Sequence, residues 1–120
     1  MYEVSVREHF DAAHYLREYR GKCERLHGHR YEVVVTVQVP ELDSSGLAFD
    51  FAELKRHVRE VLGQFDHSCL NEVPPFDGIN PTAENIAVTV CRGLSDRISA
   101  ATISQVQVWE SPDTWVTYKP

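Results

Sequence analysis

No stretch of the chain approaches the ~18 apolar residues that a membrane-spanning helix needs. The opening Met1-Tyr2-Glu3-Val4-Ser5 has no basic segment leading into an apolar run, so no secretory leader is expected and the cytoplasm is the default compartment. Cysteine is scarce and odd in number, at positions 23, 69 and 91. A secreted disulfide framework would want an even set. No CxxC pair is present, which removes a thiolate zinc ribbon. Repeats, low-complexity tracts and linkers are absent as well. Positive charge is in short supply: 12 basic residues face 18 acidic ones, for a formal charge of −6. A chain this acidic is a poor general partner for nucleic acid.

What remains is one domain over residues 1–120, close to the common domain size. Apolar residues make up 42% of it, enough to bury a core. The basic residues are unevenly spread. Arg17, Arg20, Lys22, Arg25 and Arg30 place five of the twelve within fourteen positions. Such a rim suits a small anionic ligand better than a long polyanion, although a solvated arginine-rich loop has the same composition.

Hydrophobic periodicity reads as two strands, two helices and two strands. Tyr2 to Val6 alternates, and Phe10, Ala12 and His14 continue the parity of Val4 and Val6. From Tyr31 to Val39, Val33, Val35, Val37 and Val39 share one parity. Asp50 starts a helix as its N-cap, with Glu53 as capping-box partner. Phe51, Leu54, Val58, Val61 and Leu62 form its apolar stripe, and Gly63 stops it. A second helix begins at Asn80-Pro81, with Pro81 at the first helical position and Ala83, Ala87, Val90, Cys91, Leu94 and Ile98 as its stripe. Ile103–Glu110 and Thr114–Tyr118 close the chain as a strand pair around Ser111-Pro112-Asp113. The expectation is an α+β fold, a four-stranded antiparallel sheet with two helices on one face. Its two open edges invite pairing with another copy, hence a homo-oligomer.

His27-Gly28-His29 carries the chemistry. In an extended segment, residues two apart face the same way with Cα atoms about 6–7 Å apart. Two imidazoles can then converge on one metal, with Gly28 leaving room between them. His14, near the end of the first strand, can join them from a neighbouring strand. Three histidines without a fourth protein ligand describe an open zinc site. Cys23, four residues before His27, is either a fourth ligand that closes the site or an activated base. Asp66-His67 is either a carboxylate–imidazole proton relay or a turn. Glu110, on the parity of Val106 and Val108, should reach the buried side at the sheet's rim. It needs a partner there, an amidine-like heterocycle or a structural Arg. His9 and His57 are expected in solvent, and Cys69 and Cys91 as small core residues. Glu84 falls in a first helical turn, where the dipole favours a carboxylate without any ligand.

Taken in order, these residues resemble the 6-pyruvoyl-tetrahydropterin synthase superfamily over nearly the whole chain. The matching pieces are Phe10-Asp11-Ala12-Ala13-His14, Cys23-x-x-x-His27-Gly28-His29, Asp50-Phe51, Asp66-His67-x-x-Leu70-Asn71, Asn80-Pro81-Thr82-Ala83-Glu84-Asn85, and Glu110. Three residues between Cys23 and His27 resemble the branch that makes 6-carboxy-5,6,7,8-tetrahydropterin rather than the pyruvoyl-forming branch. Ser68-Cys69 and Arg30 depart from the family's usual residues. The resemblance implies zinc on His14, His27 and His29, with Cys23 as catalytic base and Asp66 and His67 as a relay. It also implies that Glu110 anchors a pterin, with Thr82 and Glu84 nearby. The implied fold is the tunnelling (T-fold) type, whose trimers stack into hexamers with active sites between subunits. The implied reaction takes 7,8-dihydroneopterin triphosphate to the carboxy product, acetaldehyde and triphosphate, on the way to 7-deazapurines such as queuosine. Pyruvoyl-forming activity, or a non-catalytic zinc module closed by Cys23, are the alternatives.

Overall fold

The structure, a computed structural model, describes residues 1–120. Two long strands, β1 (Tyr2–His14) and β2 (His27–Val39), pair antiparallel without a break from Tyr2↔Val39 to His14↔His27. Alternation sends Val6, Phe10, Ala12 and His14 of β1 inward, on the same face as Tyr31, Val33, Val35 and Val37 of β2, and all are buried. Two helices, α1 (Phe51–Leu62) and α2 (Ala83–Arg97), contribute to the same core of 24 buried residues. The closing strands add to the far side of β2 as an antiparallel pair.

The expected four-stranded sheet has five strands. Ser68–Cys69 forms β3, parallel to Ala12–Ala13 of β1. With β4 (Thr102–Ser111) and β5 (Thr114–Tyr118), the order is β3-β1-β2-β4-β5. A two-residue strand has no periodicity to read. It is made by long-range bonds, notably His67 N–H to the Asp11 carbonyl at 2.6 Å. It covers one end of β1's outer edge; the rest of that edge and the outer edge of β5 have no strand partner.

The helix starts follow their caps. Asp50 accepts from the backbone N–H groups of Ala52 and Glu53 at 2.7 and 3.3 Å, a contribution of about 1 kcal/mol. The capping box is half made, because the Glu53 carboxylate lies 3.8 Å from the His57 imidazole. His57 is therefore half-buried rather than solvated. Phe51 leaves the expected stripe and is 63% exposed. In α2 the cap is Thr82, whose hydroxyl accepts from Asn85 N–H at 3.1 Å. Pro81 thus precedes the cap instead of opening the helix, since a threonine oxygen can take an orphan N–H and a proline cannot.

The chain leaving β1 is held by side chains acting as strand partners. Asn71 exchanges two bonds with the Tyr15 backbone at 3.0 and 2.9 Å. Asn80 does the same for Arg17 at 2.8 and 3.0 Å. The Arg17 guanidinium donates to the carbonyls of Asn71, Phe76 and Ile79. Glu24 closes the base of the loop through both its backbone N–H and its carboxylate to Leu16. Arg17 is therefore a structural clamp and leaves the basic rim.

Candidate active site

The register that fixes β1 against β2 also assembles three imidazoles. His14 lies opposite His27, and Ala12 opposite His29, so all three rings meet on the inward face at the end of the ribbon. One ring nitrogen from each lies within 4.8 Å of the others. His14 Nδ1 is 2.7 Å from the Pro81 carbonyl and His27 Nδ1 is 2.7 Å from the Arg25 carbonyl. A carbonyl only accepts, so both Nδ1 atoms carry the proton and both Nε2 atoms present lone pairs. Those two Nε2 atoms are 3.1 Å apart. In the neutral tautomers neither donates to the other, and a cation held between them would satisfy both lone pairs. Tetrahedral zinc, with Zn–N near 2.0–2.1 Å, spaces its nitrogens by about 3.3 Å. His29 Nε2 is buried without a partner, and burial pushes its pKa down, toward the neutral form that ligates. The donor set fits zinc.

Gly28 plays a smaller part than its place in the motif suggests. It points away from the ring cluster, and an added Cβ would meet only the Ala12 carbonyl at 3.6 Å. Cys23 lies exposed in the 15–26 loop, outside the histidine cluster. The closed three-His, one-Cys arrangement is not formed. Of the basic rim, Arg30 is held by Asp11 through two bonds of 3.0 and 3.2 Å. With Arg17 also committed, Arg20, Lys22 and Arg25 are the exposed cations left without a carboxylate partner.

Asp66 and His67 meet, although adjacent residues usually diverge. His67 has φ of +58°, and this left-handed turn brings its Nδ1 to 2.9 Å from Asp66 Oδ2. The other carboxylate oxygen accepts Asp11 N–H at 2.9 Å. The pair is docked on the edge of β1 and His67 faces solvent, in a cluster with Asp11 separate from the three histidines. The Asp11 N–H does most to hold the Asp66 carboxyl below its usual range; burial opposes it, and the His67 imidazole adds to the lowering. A depressed carboxylate stabilises the fold above its unfolded pKa of about 3.9. That contribution is lost as pH falls through the folded value. Asp66→Asn should therefore flatten the acid limb of melting temperature against pH, below about pH 5. An unchanged limb would mean that the pairing is not made in solution.

Glu110 reaches the rim as its parity requires, and its carboxylate makes no ion pair. It borders a cleft of about 640 Å³ shared with His29 and Trp109. It also borders a second, of about 460 Å³, shared with Thr82 and Glu84. The three residues expected at a ligand thus line one cavity; the Thr82 hydroxyl is already engaged as a helix cap, and Glu84 is exposed. The structure adds residues that spacing did not point to. Tyr31 is fully buried beside His14 and His29, with ring centroids 5.7 and 5.3 Å away. Burial, reinforced by the Glu110 and Glu24 carboxylates, pushes its phenol pKa far up. Trp109 stacks on Trp115 at 4.1 Å. Tyr31's place two residues after His29 was the one available signal.

The profile of the 6-pyruvoyl tetrahydropterin synthase family matches residues 3–120. The chain belongs to that family. Among its relatives, 6-carboxy-5,6,7,8-tetrahydropterin synthase of Bacillus subtilis is 35% identical, over 99% of this chain and 86% of the relative. Human 6-pyruvoyl tetrahydrobiopterin synthase is also 35% identical, over 82% of this chain and 71% of its own. The solved structure of Caenorhabditis elegans 6-pyruvoyl tetrahydropterin synthase superposes with a TM-score of 0.88 at 28% identity, covering 99% of this chain and 95% of that one. The fold is the family's α+β T-fold, and the family is one of enzymes.

Proposed function

We propose that this family member is a zinc-dependent 6-carboxy-5,6,7,8-tetrahydropterin synthase. It would be a lyase converting 7,8-dihydroneopterin triphosphate to the carboxy product with release of acetaldehyde and triphosphate. The convergence of three imidazoles, two of them with Nδ1 fixed by backbone carbonyls, carries the reading. The similarity to the Bacillus enzyme supports the choice of product.

His14, His27 and His29 would hold the zinc. Bound there, the metal would acidify hydroxyls of the substrate side chain and stabilise developing negative charge. The free Glu110 carboxylate would accept the paired N–H groups of the pterin, with Thr82 and Glu84 beside the ring. Cys23 would remove a proton. His67, oriented through Nδ1 by Asp66, would move one at its remaining nitrogen. Arg20, Lys22 and Arg25 would face the triphosphate. The product is a precursor of 7-deazapurines such as queuosine, made in the cytoplasm.

The deciding experiment is mass spectrometry of the products from 7,8-dihydroneopterin triphosphate on zinc-loaded protein, with acetaldehyde trapped. Carboxy-tetrahydropterin with acetaldehyde is the expected result. A pyruvoyl product without acetaldehyde would favour the second reading, to which the human relative at equal identity points. The unpartnered edges of β1 and β5 support a ring of copies, a hexamer of two trimers in the T-fold pattern. Light scattering should then give a mass several times the chain's 13.7 kDa; a monomer at micromolar concentration would overturn this.

A further inference from the structure

Tyr31 is at odds with its surroundings. Its side chain is 0% exposed, stacked on Phe10 at 4.8 Å and 14°, a place where phenylalanine would pack as well. Yet it carries a hydroxyl, and that oxygen is buried without any hydrogen-bond partner. Leaving such a group unpaired costs stability. Such a group in a native chain calls for an explanation, and a bound ligand or a reaction is one that its surroundings can decide.

The direction of the ring says what the hydroxyl serves. Tyr31 is paired with Phe10, whereas His14 lies four residues further along β1, opposite His27. Four residues of strand span about 13 Å. The His14 and Tyr31 rings are nonetheless 5.7 Å apart, so the two side chains lean together at the metal end of the ribbon. The His29 ring stands edge-on to the same phenol at 5.3 Å, and His29 Nε2 is a second orphaned polar atom there. No carboxylate, Glu110 and Glu24 included, is bonded to the phenol.

We infer that the Tyr31 hydroxyl is a hydrogen-bond donor to an oxygen ligand held at the three-histidine site, and so sets that site's preference for hydroxyl or carboxylate oxygen over softer ligands. The inference rests on the metal reading proposed above. It deepens that reading by assigning a specificity-determining residue to the open position. An ionised or oxyanion-like oxygen at that place would receive a charge-assisted bond from a phenol hydroxyl already desolvated by the fold.

Tyr31→Phe removes one oxygen and no packing. The test uses the full-length protein loaded with cobalt(II), whose visible spectrum reports ligand exchange. It is titrated with acetohydroxamate, an oxygen donor, and separately with 2-mercaptoethanol, a sulfur donor. Tyr31→Phe should weaken acetohydroxamate by about tenfold, as expected for one hydrogen bond to a charged group. The thiol should be left within about twofold, sulfur being a weak acceptor. Metal-free Tyr31→Phe should melt no lower than wild type, because its hydroxyl has no partner to lose. Unchanged acetohydroxamate binding would overturn the role of Tyr31 while leaving the metal site standing. Equal weakening of both ligands, or a lower melting point without metal, would make the hydroxyl structural and overturn it as well. Failure of wild type to take up cobalt would overturn the metal reading, and this inference with it.

Discussion

His14→Ala is expected to empty the metal site. Zinc retained after dialysis, measured by inductively coupled plasma mass spectrometry, should fall from about one per chain to below about a tenth. His14 is the most enclosed of the three, 2% exposed, and its Nδ1 is fixed by the Pro81 carbonyl. The ring therefore gives up little freedom when it binds. Without it, two imidazoles remain on one strand end. Several kcal/mol of an apparent binding energy of about 10–16 kcal/mol would be lost, on the order of a thousandfold in affinity. Turnover should fall in proportion to metal content. His9→Ala is the matched control: it lies on the same strand but is exposed and outside the cluster, and should keep its zinc. Full zinc occupancy in His14→Ala would sink the three-histidine site.

Glu110→Gln should separate ligand recognition from metal binding. The substitution keeps the shape, removes the charge, and replaces one acceptor with a donor. A pterin edge that offers two N–H groups would lose a charge-assisted bond and meet a clashing one. Bonds to charged groups contribute about 1.5–3 kcal/mol each. Together these effects should weaken pterin binding roughly a hundredfold or more, read by fluorescence titration, with zinc content unchanged. No pairing partner competes for this carboxylate within the chain, so repair by a neighbour is not expected. Equal affinity in Glu110→Gln would place the pterin away from both clefts that Glu110 borders.

Strand parity made much of this legible in advance. Phe10, Ala12 and His14 on one side of β1, with His27 and His29 on one side of β2, follow from period-two alternation. The same rule brought Glu110 to the rim. What escaped lies where the backbone departs from regular geometry or where side chains bond to backbone. Asp66 and His67 meet only because His67 turns left-handed, which no spacing announces. Ser68–Cys69 is a strand solely by virtue of Ala12–Ala13 beside it. Arg17 looked like part of a charged rim because sequence displays its charge and hides the three carbonyls that satisfy it. Asn71 and Asn80 stood in recognisable motifs, but their use as surrogate strand partners is a tertiary fact. Arg30 was one of the residues that departed from the family pattern, and it proves to be engaged with Asp11.

The unbroken pairing of β1 with β2 has a consequence for quality control. A slip of one residue would turn His14 to the opposite face from His27 and His29. A slip of two would keep the face but carry His14 about 7 Å along the ribbon. The one-residue slip is already opposed because it would turn the buried valine face of β2 outward, but the two-residue slip would leave those valines able to find other apolar neighbours, so hydrophobicity alone polices that error weakly. The imidazoles discriminate where the valines do not. A metal that binds only the correctly aligned ribbon adds its free energy to that alignment and to no other, so metal supply during folding would act as a proofreader of strand register.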